Sequence, residues 1–243
     1  MITADLITQI ETRVPPACSL PGDEPKFFGS CADLAREIEH VLILMDYYPD
    51  LIIPDIADLL VLHHPPNILP PLPTYVLHSS WDIVSGGAAD ALADLFSLTN
   101  RKILDKTTGI GRIGSLPNGP VSLGQFAEHA ANLLGLASLR IAGIESDRPS
   151  VENIAVVSGF GLNPFMIRKT SNRGADVLLS GDLTHPGAIL ARTLHLPVID
   201  ATHHATELPG LYRLGDLITS CGVFAEVYDT RVPWKEKNYH DNC

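Results

Sequence analysis

Residues 57–65 read Ala-Asp-Leu-Leu-Val-Leu-His-His-Pro, a short apolar run that ends abruptly in two adjacent histidines. An apolar run of this length reads as a core strand. His63 and His64 follow its last leucine, where a strand of a parallel sheet leaves the core, and that edge is where α/β sheets bind ligands. Neighbouring residues on a strand face opposite ways. Both imidazoles therefore reach one site only if the chain is already turning, and Pro65-Pro66 turn it. The pair fits two ligands for two neighbouring metal ions. It also fits a strand cap with two hydrogen-bonded imidazoles, and taken alone the cap is the simpler account, because histidine is often part-buried.

Outward from this run, the pattern occurs twice. His40 to Met45 is an apolar strand, a short crossover through Pro49 and Pro54 follows, and then comes Ala57-Asp58 with its strand. Further on, Val151 to Gly161 forms a strand, a helix over about 163–173 follows, and Ala175-Asp176 opens a second run that ends in Gly181-Asp182. Strand, crossover, Ala-Asp, strand in the same order indicates internal duplication. The expectation is an α/β protein of two similar, intertwined halves with mixed sheets: 1–108, a connecting or inserted segment 109–150, and 151–243. In this scheme Asp182 and His185 occupy the place of His63 and His64.

Smaller elements fill the remainder. Thr3 is placed to cap a helix through Arg13, residues 17–30 read as loop, and 32–39 as a short helix. Gly86-Gly87 opens a helix over 88–98, and Ser122 with Gln125 has capping-box spacing for a helix ending at Gly135. Gly-Ile-Gly-Arg-Ile-Gly at 109–114 lacks a strong preceding strand, so a turn or bulge is expected there rather than a phosphate loop. Strands are expected over 74–77, 138–144, 196–200 and 222–229, a helix over 208–220, and a loose tail from Lys235 to Cys243.

The 243 residues are 45% hydrophobic and carry a net charge of −11. That charge argues against nucleic acid as the main partner, since phosphate binding rests on clustered Lys and Arg. No segment has the makings of a signal peptide or a bilayer span. Cys18, Cys31, Cys221 and Cys243 are scattered without CxxC spacing, which fits a reducing cytoplasm and leaves any metal to nitrogen and oxygen ligands.

His203 and Glu207 form the other pillar. Their i,i+4 spacing puts an imidazole and a carboxylate on one helical face; a capped helix start with Glu207 facing the dipole explains them equally well. The balance shifts because His63, His64, Asp82, His203, His204 and Glu207 all fall just after expected strand ends. One sheet edge would collect all six. His78, His185 and His204 are candidates for acid/base or outer contacts, while His40, His129 and His195 carry no motif.

With these residues in view, the chain resembles the Nif-three-like family of dinuclear-metal proteins, also called GTP cyclohydrolase I type 2 homologues. The resemblance rests on the double-histidine strand, His-x-x-x-Asp-x-x-x-Gly-Gly at 78–87, Gly-Arg-Ile-Gly at 111–114, Gly-Ala-Asp-Val-Leu-Leu-Ser-Gly-Asp at 174–182 and Asp-Ala-Thr-His-His-Ala-Thr-Glu at 200–207. It implies a homohexamer with two divalent metal ions per chain (Zn, Fe, Mn, Co or Ni). His64 and Asp82 would hold one ion, His63 and His203 the other, with Glu207 bridging. It further implies metal-dependent hydrolysis of a purine ring or phosphoester; the rival expectation is a non-catalytic metal-binding ring that serves a protein or DNA partner. The chain departs from the family pattern in residues 17–30, which lack a tryptophan-asparagine motif, in the proline-rich stretch 65–73, and at His185, which stands one residue early.

Overall fold

The computed structural model describes residues 1–144 and 150–235; the expected tail beyond Lys235 lies outside them. In chain order the elements are α1 (Thr3–Arg13), β1 (Lys26–Phe28), α2 (Cys31–Leu34), β2 (His40–Leu44), β3 (Leu59–Leu62), β4 (Thr74–Val76), α3 (Ser79–Ile83), α4 (Ala88–Leu95), β5 (Thr99–Ile103) and β6 (Arg112–Ser115). They continue with α5 (Leu123–Leu133), β7 (Arg140–Ala142), β8 (Asn153–Phe160), α6 (Pro164–Asn172), β9 (Val177–Gly181), α7 (His185–Thr193), β10 (Val198–Asp200), α8 (His203–Thr219) and β11 (Phe224–Val227).

Two mixed sheets carry the fold, in the orders β1-β4-β3-β2-β11 and β5-β6-β8-β9-β10-β7. Each is built on parallel neighbours, β2 beside β3 in the first sheet and β8 beside β9 in the second. Both β3 and β9 are buried along their whole length, as a strand covered on both faces must be. The repeated Ala-Asp pair does the same work twice. Asp58 accepts hydrogen bonds from the backbone N–H groups of Glu39 and His40, and Asp176 from those of Glu152 and Asn153. Each carboxylate thus ties the start of its own strand to the start of the parallel strand beside it.

The halves interlock. The strands of segment 109–150, β6 and β7, lie in the second sheet, whereas β11 returns to pair with β2 in the first. Arg112 is buried and spans the gap between segments, donating to Asp90 and to the carbonyls of Gly109, Gly111, Ile83 and Val84. The glycine-rich 109–114 stretch therefore frames a structural arginine at the entry to β6. Among the described residues, no helix is long and apolar enough to cross a membrane.

Several local expectations are corrected. Ile2, not Thr3, stands at the N-cap of α1, and the Thr3 hydroxyl donates to the Arg36 carbonyl instead. Residues 26–28, read as loop, form edge strand β1 against β4. α8 starts at His203, five residues earlier than expected, because Thr202 caps it and Pro209 is accommodated inside the helix. The capping box at Ser122 and Gln125 is present as expected.

Candidate metal centre

Three pieces of chain deliver the cluster. His63 and His64 leave β3, Asp82 sits in α3, and the first turns of α8 present His203 and Glu207. Glu207 is almost wholly buried at the middle. Its Oε1 lies 3.0 Å from His203 Nε2 and 3.5 Å from His63 Nε2, and its Oε2 lies 3.2 Å from His64 Nε2. Asp82 Oδ1 lies 3.6 Å from His63 Nε2, and the Nε2 atoms of His64 and His203 are 3.3 Å apart. These contacts associate His63 with Asp82 and His64 with His203, across the division that the family resemblance implies.

Backbone geometry makes room for this convergence. Gly159, at φ +69°, passes so close that a Cβ there would stand 2.2 Å from Glu207 Oε1. At Gly181 a Cβ would stand 2.4 Å from the backbone nitrogen of His203. Asp182 and Thr202, which flank the cluster, both adopt the left-handed backbone region that non-glycine residues rarely enter. Strain of this kind collects at functional sites, where the surrounding fold enforces it.

Each imidazole is held from behind. His63 Nδ1 faces the carbonyl of Leu77 at 3.2 Å, His64 Nδ1 faces Asp46 at 2.9 Å, and His203 Nδ1 faces Asp182 at 2.6 Å. His78 repeats the arrangement with Asp23 at 3.0 Å, its ring 5.1 and 5.2 Å from those of His63 and His64. With Nδ1 donating outward, the Nε2 lone pairs of His63, His64 and His203 are free to face one another, which is the usual outer support of metal-binding histidine.

Electrostatics show what the cluster wants. Burial opposes charge on Glu207, but the imidazoles of His63, His203 and His64 outweigh it and hold the carboxyl well below its usual range. Burial likewise opposes an imidazolium at His64 and His203, yet hydrogen-bonded carboxylates raise them to about 10 and about 9. His63 is raised by Glu207 and Asp82 against the same opposition, and Asp82 is raised chiefly by its burial. Three buried atoms of the cluster nevertheless have no hydrogen-bond partner: His63 Nε2, Asp82 Oδ1 and Glu207 Oε2. Unpaired polar atoms are expensive in a protein interior, and all three aim into one space. His63, His64 and His78, and separately His64, His203 and Glu207, are spaced to hold a cation. Nitrogen and carboxylate donors in this arrangement fit divalent transition metals.

The other sequence candidates lie at different distances from this centre. His204 turns aside to Asp229 at 2.7 Å. His185 is exposed at the start of α7 and does not join the cluster. Asp23 and Asp46, absent from the sequence reading, sit in loops far along the chain from the histidines they orient, and no spacing rule links them. A cavity of about 470 Å³, walled by Ile110, Val157 and Phe160, opens onto His78, Asp82 and Glu207.

Comparison with known proteins identifies the family and the fold. Residues 68–232 match the family described as DUF34/NIF3 (NGG1p interacting factor 3). A relative from Methanothermobacter thermautotrophicus, named GTP cyclohydrolase 1 type 2 homolog, is 44% identical over 97% of this chain and 96% of its own. The structure of reduced HcgD from Methanocaldococcus jannaschii superposes with a TM-score of 0.78 at 30% identity, covering 94% of this chain and 98% of that one. A Bacillus cereus protein related to NIF3 shares the fold at a TM-score of 0.84 and 18% identity, over 98% and 99% of the two chains. With its double-histidine strand and its α8 glutamate set in that fold, the chain belongs to the DUF34/NIF3 family.

Proposed function

We propose that the protein holds two divalent metal ions and uses them to hydrolyse a small-molecule substrate, in the manner implied by the name GTP cyclohydrolase 1 type 2 homolog carried by its relative. The observation that carries this reading is the convergence of three unpartnered buried donor atoms, from His63, Asp82 and Glu207, on a space that His64 and His203 also face. His63 and Asp82 would serve one ion, His64 and His203 the other, and Glu207 both. Such ions supply Lewis acidity and lower the pKa of water. The chain's own residues do the rest: Asp46 and Asp182 fix the orientation of His64 and His203, and the cavity of about 470 Å³ offers a partly apolar wall for a substrate. His78, held by Asp23 beside that cavity, would exchange a proton with a bound substrate.

The native metal is one of Zn, Fe, Mn, Co or Ni. The assembly we propose is a homohexamer in the cytoplasm, consistent with the free thiols of Cys18, Cys31 and Cys221. A second reading is a metal-holding ring without turnover. It is favoured by the exposed Ile68 and Leu69, which offer an apolar rim for a partner in the proline-rich segment after the histidines.

Elemental analysis of purified protein separates these readings when combined with a screen of purine nucleotides and phosphoesters. Two ions per chain are expected, with both ions and turnover lost in Glu207→Gln. Two ions without turnover of any substrate would favour the ring, and protein that takes up no metal would remove both readings.

A further inference from the structure

A second cavity, of about 420 Å³, lies against the other side of the cluster and shares His64 and His203 with the first. Its character is different. Tyr47 and Tyr48, just beyond β2, and Trp234, in the segment after β11, give it aromatic walls. Three carboxylates stand in or beside it, and each is engaged by a histidine: Asp46 by His64, Asp182 by His203 and Asp229 by His204. Arg231 also lines the cavity and makes no ion pair with any described residue. In a chain of net charge −11, this wall keeps its negative groups occupied and its positive group free. The backbone of Arg231 is held: it is left-handed at φ 59°, and its N–H donates to Asp229 at 2.8 Å.

We propose that this cavity is a binding site for a planar aromatic anion, a ring system of one or two fused cycles bearing a carboxylate or phosphate. The ring would lie among Tyr47, Tyr48 and Trp234, and the anionic group on Arg231. A stacked aromatic face and a guanidinium fork are the two contacts that such a ligand rewards most. Because His64 and His203 also line this cavity, a ligand seated here lies beside the metal-binding histidines. Only that last link rests on the metal reading above; the cavity, its aromatic walls and Arg231 stand without it.

The two tryptophans allow a direct test. Trp81 is 1% exposed and Trp234 57% exposed, so acrylamide quenching of intrinsic fluorescence reports Trp234. Benzoate, benzyl alcohol and acetate serve as probes, with metal content measured in the same samples. Benzoate is expected to shield Trp234 at a concentration at least tenfold below either of the others. Arg231→Gln should raise its Kd at least tenfold, and Tyr48→Ala should weaken benzoate while leaving acetate unchanged. Equal constants for the three probes, or an unchanged benzoate constant in Arg231→Gln, would overturn the site. Shielding by benzoate in protein that holds no metal would uphold this site and overturn the metal reading instead.

Discussion

The two Ala-Asp strands begin alike and end differently. Asp58 and Asp176 each clamp two backbone N–H groups of the neighbouring strand, and each strand then runs buried to its end. Past that end, β3 releases His63 and His64 into the cluster, whereas β9 releases Gly181 and Asp182. Gly181 yields space to the backbone of His203, and Asp182 orients that residue's ring. At these two strand ends, β3 supplies donors and β9 supplies clearance and support for the donors of α8. Duplication has preserved the frame and divided the chemistry, because a clamp at a strand's start is needed wherever the strand recurs, while a site needs only one copy of each ligand.

If that division holds, crowding the second half should damage the site as much as deleting a ligand from the first. Gly159→Ala carries the largest expected effect. The left-handed backbone alone costs about 1–2 kcal/mol for a residue with a Cβ, and the methyl group would collide with Glu207 Oε1. Metal content measured by elemental analysis should fall below one ion per chain; full occupancy would show that Glu207 has freedom the packing denies. Next comes the support from behind. Asp46→Asn and Asp182→Asn should each weaken metal binding by about 10–100-fold, the usual cost of losing an outer partner of a ligating histidine. Competition with a chromophoric chelator measures both, and a deficit in one variant alone would mean that only one histidine depends on its carboxylate. The smallest effect sharpens the comparison most. Asp58→Ala and Asp176→Ala should each destabilise the fold by about 1–3 kcal/mol through stranded backbone donors, with metal affinity in the folded protein unchanged. Urea unfolding giving a large loss for one and none for the other would break the equivalence of the clamps.

Much of this frame is legible in local pattern. The apolar runs at 40–45, 57–62, 151–161, 175–181 and 196–200 have the composition of core strands, and the histidine pair and His203/Glu207 follow the second and the last of them. The capping box at Ser122 is legible because its two residues are three apart. What escapes is long-range or very short. β1 is three residues among prolines and glycines, and it becomes a strand only because β4 offers an edge. α3 is one turn of helix, bound at its start by Asp23 from a distant loop. The start of α8 is masked by Pro209, which resembles a first-turn proline until Thr202 is seen to cap the chain before it. Asp46 and Asp182 follow strands, as the ligands do, but an aspartate that orients a histidine looks in sequence like any other aspartate in a loop. Gly159 is the hardest to see, since its role is to leave space for a side chain 48 residues later.

The return of β11 to the first sheet bears on how the molecule is made. On the ribosome, β2 emerges early, and its partner at Phe224–Val227 emerges last. Until then one flank of the first sheet is an open edge of buried-type strand, the kind of surface that invites wrong pairing. The second sheet, whose strands all lie between Thr99 and Asp200, can be completed sooner. A nascent chain whose second sheet closed before β11 emerged would hold the earlier sheet waiting, and a chain truncated before Phe224 would keep the histidine-bearing sheet unsealed.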